Sequence, residues 1–295
     1  MKKFKKIISR IPFFAILSFI ALLLYAVSLF LPLLWALMTS FKTNFNYLLD
    51  SFGWPTKFVN NYATVFRYFV VPVNDETLGV YYVGIAGMVF NSIWYALGCS
   101  LLSTAAAFLV GYVVARYDFK FCNIIYTVIV IQMIIPTVGT LPSELRIAHA
   151  MGLYDTPYGI LFMKTYVSGL YFLSFYAALR VLPKDYVEAA KLDGAGNFNI
   201  MVRIIFPMII GVFFTIVLLN FIGFWNDYQT PMIYIPSYPT LAYGLYHYVS
   251  GSLEQETSSV PMRLAGCIVV AIPLFIIFIA FQKKLLSGVS LGGLK

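Results

Sequence analysis

Charged residues are scarce in this 295-residue chain, where Asp, Glu, Lys and Arg fill only 11% of the positions. A soluble domain carries about 25%. Hydrophobic residues make up 61% of the chain, and its mean hydropathy is +0.84. Such an apolar surplus needs a solvent that is itself apolar. The composition therefore indicates an integral membrane protein, with residues 1–295 forming one domain.

Motifs that carry catalysis are also absent from the sequence. It contains no G-x4-G-K-[ST] loop, no H-E-x-x-H and no G-x-S-x-G. Gly194-Ala195-Gly196 lacks the lysine that a phosphate-binding loop needs, and no predicted strand precedes it. The two histidines, His149 and His247, lie far apart and are expected to be ordinary loop residues. We therefore expect no catalytic residue and no ATP hydrolysis in this chain.

The three cysteines, Cys99, Cys122 and Cys267, lie in or beside apolar runs without C-x-x-C spacing. This favours small buried side chains over metal ligands or a disulfide. The net charge of +8 comes with no basic face interleaved with aromatic residues, so nucleic acid is not an expected partner.

Six apolar runs approach or exceed the roughly 20 residues that a spanning helix needs. We predict spans at residues 12–39, 83–115, 121–141, 157–182, 208–224 and 262–281. The third should be kinked or broken near Pro136. The first follows the basic start MKKFKK, but it is too long for the apolar part of a signal peptide, about 7–15 residues, and no A-x-A site follows. We expect it to be retained, giving an all-α polytopic membrane protein.

The distribution of charge predicts the orientation. Six spans place both termini on one side, and with that side in the cytoplasm 14 of the 20 basic residues but only 4 of the 12 acidic ones are cytoplasmic. Cytoplasmic loops carry an excess of Lys and Arg. Two long segments then lie outside, residues 40–82 with the turn signals WP, NN and VPVND, and residues 225–261, which are rich in Tyr, Pro and Ser.

One polar segment, residues 183–207, lies on the inner side between the fourth and fifth spans. Asp185 followed by Glu188 is typical of a capping box, which predicts a helix from Tyr186 to Leu192. Gly194 suits the left-handed residue that ends a helix. Asn197 is expected to cap a second helix that runs into the fifth span, where Pro207 bends or loosens it.

Ala189 and Ala190 leave this short helix a flank with little side-chain bulk, beside the ring of Tyr186 and the charge of Glu188. Small residues allow another surface to come close. The alternative is an amphipathic connector on lipid headgroups, but such a helix would carry large apolar side chains on one face and several lysines on the other. The pattern favours a helix that docks on a protein.

These residues carry a family resemblance. Glu188-Ala189-Ala190, then Gly194, Ile204 and Phe206-Pro207, is similar to the EAA loop of ABC importer membrane subunits, whose pattern is EAA-x3-G-x9-I-x-L-P. The one departure is phenylalanine in place of leucine. NSI at Asn91, FWNDYQTPMIY at Phe224 and the tail FQKKLLSGVSLGGLK resemble the carbohydrate-uptake branch, specifically the maltose-permease G-type subunits.

The resemblance implies a type I ABC importer permease fold in a bacterial cytoplasmic membrane. It implies that the polar loop docks in an ATPase that binds ATP and Mg, through Tyr186, Glu188, Ala189, Ala190, Asp193 and Gly194. The expected partners are a second, homologous permease subunit, two cytoplasmic ATPase subunits, an extracytoplasmic solute-binding protein and the lipid bilayer. An oligosaccharide or another sugar is the implied solute.

Candidates for the solute path follow from polar and aromatic residues at membrane depth. Gln132 and Asn220 are uncharged polar groups inside spans, where such groups face a cavity or another helix. Trp225, Asn226 and Tyr228 offer rings for the apolar faces of a sugar and an amide for its hydroxyls. The alternatives are an interhelical hydrogen bond for the two amides and an interfacial aromatic belt for the rings.

Other functions remain open at this point. Glycerol phosphate or a polyol would suit the same importer class. A secondary transporter would need no ATPase and should carry inverted repeats or buried acids, and we find no Asp or Glu inside a predicted span. A structural membrane protein is the third alternative, and the EAA spacing argues against it.

Overall fold

A computed structural model of the full chain describes residues 13–75, 79–135, 139–250 and 259–290. The basic start MKKFKK, the predicted kink at Pro136 and the last five residues lie outside these ranges. The described chain is largely helical, which confirms the predicted fold class. Its helices and strands are α1 (Phe13–Thr39), α2 (Asn44–Leu49), α3 (Asn61–Tyr68), β1 (Val70–Asp75), β2 (Gly79–Gly84), α4 (Ile85–Arg116), α5 (Lys120–Ile134), α6 (Leu141–Ala150), α7 (Pro157–Met163), α8 (Gly169–Val181), α9 (Asp185–Leu192), α10 (Asn197–Ile200), a π-helical turn (Met201–Ile205), α11 (Phe206–Asn226), α12 (Gln229–Tyr234), α13 (Leu241–Ser250) and α14 (Val260–Ser290).

Each predicted span has an apolar helix at its position. Three described helices are long and apolar enough to cross a membrane: Phe14–Thr39, Ile85–Arg116 and Asn197–Asn226. Shorter apolar helices occupy the other three positions: Lys120–Ile134, Gly169–Val181 and Val260–Ile276.

The fourth predicted span is interrupted, which the apolar pattern did not predict. Helix α7 ends at Met163 and α8 begins at Gly169. Residues of the gap close the two helix ends: Thr165 Oγ1 donates to the Leu161 carbonyl of α7 (2.6 Å), and the Ser168 carbonyl accepts from Phe172 N of α8 (2.9 Å).

A β-hairpin precedes the second span, and here the expected turn at VPVND was wrong. Strands β1 and β2 pair antiparallel, with Val70 opposite Gly84 and Asp75 opposite Gly79. Alternate residues Val71 and Val73 are buried, the two-residue period of a strand with one covered face.

The described chain divides into two compact units, residues up to 69 with 248–272, and residues 70–247 with those from 273 onward. The single membrane domain stays a prediction. In the first unit, Asn61 Nδ2 donates to the carbonyls of Ser40 (2.7 Å) and Lys42 (2.8 Å), fixing α3 against the end of α1. The buried Lys42 Nζ donates to the Asp50 carbonyl (2.8 Å).

In the second unit, α4 packs against α8 and α11. Phe108, Phe175 and Phe213, one from each helix, form a three-ring cluster with centroids 5.7 to 6.2 Å apart. Close approach depends on Gly111 of α4, where an added Cβ would lie 3.0 Å from Phe175 Cβ. The small residues of α4 therefore serve helix packing.

Of the cysteines, Cys99 and Cys122 are buried as predicted, whereas Cys267 is exposed, so the expectation of burial was wrong for that residue.

Candidate functional site

Helix α9 is the polar helix predicted between the fourth and fifth spans. It begins one residue earlier than expected, because Asp185 is its first helical residue and Lys184 is the N-cap, without a side-chain hydrogen bond. The predicted Asp185 capping box was therefore wrong. The Lys184 carbonyl instead accepts from Val187 N (2.9 Å) and Glu188 N (3.1 Å). Asp185 and Glu188 still lie in the first turn, where negative charge suits the helix dipole.

The other end of α9 is fixed by Gly194. Its φ of +80° is left-handed, as predicted from the glycine. Gly194 N donates to the Lys191 carbonyl (3.0 Å), and Ala195 N donates to the Ala190 carbonyl (2.9 Å). This pair of bonds is a Schellman motif, which satisfies the last carbonyls and ends the helix sharply. Asp193 is the exposed C-cap residue beside it.

The two alanines of α9 differ in burial. Ala190 is only 7% exposed and belongs to the cluster around Leu179 and Ile200, whereas Ala189 is exposed. The small side chain of Ala190 therefore allows α9 to pack close to the spanning helices. The small side chain of Ala189 leaves the exposed surface of α9 without a bulky group. Glu188 is also exposed, and Tyr186 is 52% exposed.

Leu192 is 90% exposed and Phe198 is 72% exposed, at the end of α9 and the start of α10. Neither residue belongs to the predicted docking set. In the sequence, these two large apolar residues flank the small and polar residues 193–197. Large apolar side chains on an exposed turn favour contact with another surface.

The second inner helix joins the fifth span without a loop. Gly196 is its N-cap and Asn197 its first residue, so the predicted Asn197 cap was wrong. The helix then widens into the π-helical turn Met201–Ile205, and Phe206 N donates to the Met201 carbonyl. Pro207 has no N–H, and its ring clashes with the carbonyl four residues earlier. A widened turn directly before Pro207 fits the predicted loosening.

The polar path candidates lie apart from one another. Gln132 is exposed on α5. Asn220 of α11 donates from Nδ2 to Thr104 Oγ1 of α4 at 2.9 Å. Asn226 is exposed and donates to the Ile222 carbonyl of its own helix (2.8 Å). The two asparagines are therefore tied to different neighbours, and these contacts do not assemble one polar site.

Trp225 and Asn226 belong to the end of α11 rather than to the loop after it. Trp225 is 2% exposed and packs on Phe221, with ring centroids 5.5 Å apart. Its Nε1 is buried and has no hydrogen-bond partner among the residues that the structure describes. Tyr228 is 40% exposed and stacks on Tyr246 of α13, with centroids 4.6 Å apart and planes 13° apart.

Asp227, between Trp225 and Tyr228, is an anchor outside the predicted site residues. Its carboxylate accepts from Tyr95 OH on α4 (3.0 Å) and from Thr230 N at the start of α12 (3.0 Å). The carboxylate therefore fixes the chain direction after α11 and holds Tyr228 beside Tyr246. No local pattern reveals a partner 132 residues away.

A second polar network holds α6 and α12 together. Tyr234 OH donates to Glu144 Oε2 (2.8 Å), and the Lys164 ammonium lies 5.6 Å from the Tyr234 ring centroid. Hydrogen bonds from Thr140 and then Tyr234 lower the pKa of Glu144. Burial and the neighbouring Glu144 raise the pKa of Tyr234 to about 12. Asp155 continues the network by accepting from Ser237 Oγ (2.6 Å).

Comparison with known proteins places this architecture among transport proteins. Residues 107–290 match the family model described as "Binding-protein-dependent transport system inner membrane component". The arabinooligosaccharides transport system permease protein AraQ of Bacillus subtilis is 30% identical over 210 residues, 70% of this chain and 72% of that protein. The diacetylchitobiose uptake system permease protein NgcG of Streptomyces coelicolor is 27% identical over 286 residues, 95% of this chain and 88% of that protein.

Among solved structures, a chain of a bacterial ABC transporter involved in the import of the acidic polysaccharide alginate superposes with a TM-score of 0.74. It is 19% identical, and the match covers 92% of this chain and 95% of that one. At this identity the match shows a shared fold.

Proposed function

This chain belongs to the family of binding-protein-dependent transport system inner membrane components, and we propose that it is the permease subunit of an ATP-driven importer for an oligosaccharide. The relatives support the solute class, since one is a permease for arabinooligosaccharides and another for diacetylchitobiose. The chain forms part of the membrane pathway, and its helices alternate between outward-facing and inward-facing arrangements.

The energy comes from a separate ATPase that docks on α9. The observation that carries this proposal is the exposed face of a short helix sharply ended by Gly194, with Tyr186, Ala189 and Leu192 exposed. Its inner side packs on the core through Ala190 and Val187. Helix α9 is exposed on one side and packed against the spanning helices on the other. Movement of a partner bound to the exposed side is therefore transmitted to those helices. ATP and Mg bind to the ATPase, and Glu188 pairs with a basic or polar group there.

The complete transporter contains a second permease subunit, two ATPase subunits and an extracytoplasmic binding protein. Both termini of this chain lie in the cytoplasm, with α9 on the same side. The bias of basic residues toward that side in the sequence supports the orientation. The segments around α6, α12 and α13 then face the binding protein.

The stacked pair Tyr228 and Tyr246 is the proposed point of contact with the sugar. Sugars present apolar C–H faces rimmed by hydroxyl groups, and a partly exposed tyrosine ring covers such a face. Each ring is about 40% exposed, which leaves apolar surface for a passing solute.

The test is reconstitution of the four kinds of subunit in vesicles, with ATP hydrolysis and uptake of a labelled arabinooligosaccharide measured together. We expect uptake that depends on ATP and on the binding protein. Deleting residues 188–194 should release the ATPase on co-purification. An ATPase that stays bound after this deletion would contradict the docking role, and uptake of glycerol phosphate but of no sugar would contradict the solute class.

A further inference from the structure

A cavity of about 150 Å³ lies between the end of α4 and helix α9. Its wall comes from Tyr112, Arg116 and Tyr117 on one side, and from Lys184, Glu188 and Lys191 on the other. A cavity needs about 10–15 Å³ of such volume to hold one water. The space is therefore sufficient for a phosphate group with a few waters.

Arg116 is only partly bonded within this wall. Its Nη1 donates to the Leu182 carbonyl at 3.3 Å. Its Nε and Nη2 are buried and have no hydrogen-bond partner among the residues that the structure describes. A buried guanidinium donor without an acceptor costs free energy, so an acceptor in the cavity stabilises this arrangement. The planar guanidinium offers two parallel N–H groups that match two oxygens of one anion.

The charge of the wall selects the kind of acceptor. Arg116, Lys184 and Lys191 are cationic, and Glu188 is the single carboxylate among the residues that line the cavity. The hydroxyls of Tyr112 and Tyr117 are hydrogen-bonded to each other, which leaves one neutral donor for a ligand. Three cations and one anion leave a net positive wall, which favours a compact, doubly charged or diester phosphate over a neutral ligand.

We propose that this cavity binds a phosphate group, with Arg116 as the principal ligand and the two lysines as rim cations. The proposal rests on the proposed orientation, which puts the cavity at the cytoplasmic headgroup layer of the membrane. The phosphate therefore belongs either to an anionic phospholipid or to free phosphate. Since one wall is a spanning helix and the other is the ATPase-docking helix, an occupied cavity fixes the angle between them.

The experiment measures binding to the full chain purified in detergent, so it requires neither ATPase nor transport. Thermal unfolding is followed against inorganic phosphate, with sodium chloride at matched ionic strength as the reference. A second arm compares nanodiscs of phosphatidylglycerol with nanodiscs of phosphatidylcholine. Stabilisation by phosphate in detergent identifies the free anion as sufficient, whereas stabilisation only by phosphatidylglycerol identifies the lipid.

The variants decide whether Arg116 is responsible. R116A should weaken binding about 10-fold or more, because charge-assisted hydrogen bonds are lost. The E188Q variant should tighten binding, since it removes the one carboxylate of the wall. R180A is the matched control: Arg180 is exposed and contacts Tyr176, outside the cavity wall. This variant should bind as the unchanged protein does.

An equal loss of phosphate or phosphatidylglycerol binding in R116A and R180A would overturn the proposal. It would indicate that the anion is attracted by general surface charge. Stabilisation by neither phosphate nor phosphatidylglycerol would also overturn it. If R116A does not fold, the double variant K184Q/K191Q replaces it, because both lysines are exposed on the rim of the cavity. This variant should also bind phosphate more weakly than R180A does. A positive result here together with failed sugar uptake would reject the proposed function and leave the phosphate site standing.

Discussion

Asn220 Nδ2 of α11 donates a hydrogen bond of 2.9 Å to Thr104 Oγ1 of α4. Thr104 is fully buried, and 116 residues separate the two in sequence. The bond joins the second and fifth predicted spans at a depth where water is scarce, so each group satisfies the other. The amide therefore serves as an interhelical contact, and a role in the solute path stays a prediction.

We expect the N220L and T104V variants to be coupled energetically. Double-mutant cycles for such bonds in membrane proteins give about 0.6 kcal/mol on average. Unfolding of the detergent-solubilised chain measures the coupling. T215V is the control, because Thr215 Oγ1 bonds the Gly211 carbonyl of its own helix (2.8 Å). A cycle of T215V with N220L should show no coupling, and equal values in both cycles would contradict the assignment.

Gly194 should tolerate substitution less well than Glu188. No neighbouring atom lies within 4 Å of an added Cβ, so the cost of G194V comes from the left-handed backbone, about 1–2 kcal/mol. A misdirected α9 should then lower transport-coupled ATP hydrolysis more than E188A does. G196A is the control, since Gly196 is equally open but has φ of −69°. Equal, unimpaired rates in G194V and E188A would reject this prediction.

The two alanines of α9 should respond differently to a large side chain. A189W adds bulk to the exposed face, so the chain should fold and lose ATPase binding. A190W forces a ring into the cluster around Leu179 and Ile200, and overpacking of this kind costs about 1–3 kcal/mol or more. Thermal unfolding and co-purification separate the two effects. Loss of folding in A189W, with normal folding in A190W, would contradict the assigned faces.

Tyr228 should contribute to uptake through its ring rather than its hydroxyl. Removing the ring in Y228A loses the stack on Tyr246, and aromatic pairs of this kind contribute about 0.5–1.5 kcal/mol. We expect KM for sugar uptake to rise several-fold in Y228A and to change little in Y228F. Y82A provides a comparison, because Tyr82 is an exposed ring on β2. Similar KM changes in Y228A and Y82A would argue against a sugar contact.

The shifted pKa values of Glu144 and Tyr234 should make stability depend on pH at both extremes. The lowered pKa of Glu144 gives stability that is present above its ordinary value of 4.5 and lost as pH falls through the lowered value. The pKa of Tyr234, raised to about 12 from 10, gives stability that is lost as pH rises between these values. T140V should reduce the acid dependence more than Y234F does, because Thr140 is the larger cause. If both variants unfold in acid as the unchanged protein does, the hydrogen bonds to Glu144 do not cause the acid dependence.

Local chemistry predicted some features and missed others for identifiable reasons. The stop at Gly194 was predictable because the left-handed region favours one residue type. The start at Asp185 was one residue off, since backbone carbonyls satisfy that end without a side-chain cap. The π-helical turn was not predictable, because the apolar run MVRII fits an α-helix as well. Asp227 takes its role from Tyr95, and no sequence spacing encodes that contact.

The helical stretch from Asn197 to Asn226 contains 30 residues, including the π-helical turn Met201–Ile205, and at about 1.5 Å per residue it measures about 45 Å. One end starts three residues after Gly194, and the other ends one residue before Asp227. In a helix of this length, a tilt of about 10° about one end moves the other end by about 8 Å. If an ATPase docks on α9 as proposed, a displacement of that size at the Tyr228 end requires only a small rotation at the Asn197 end.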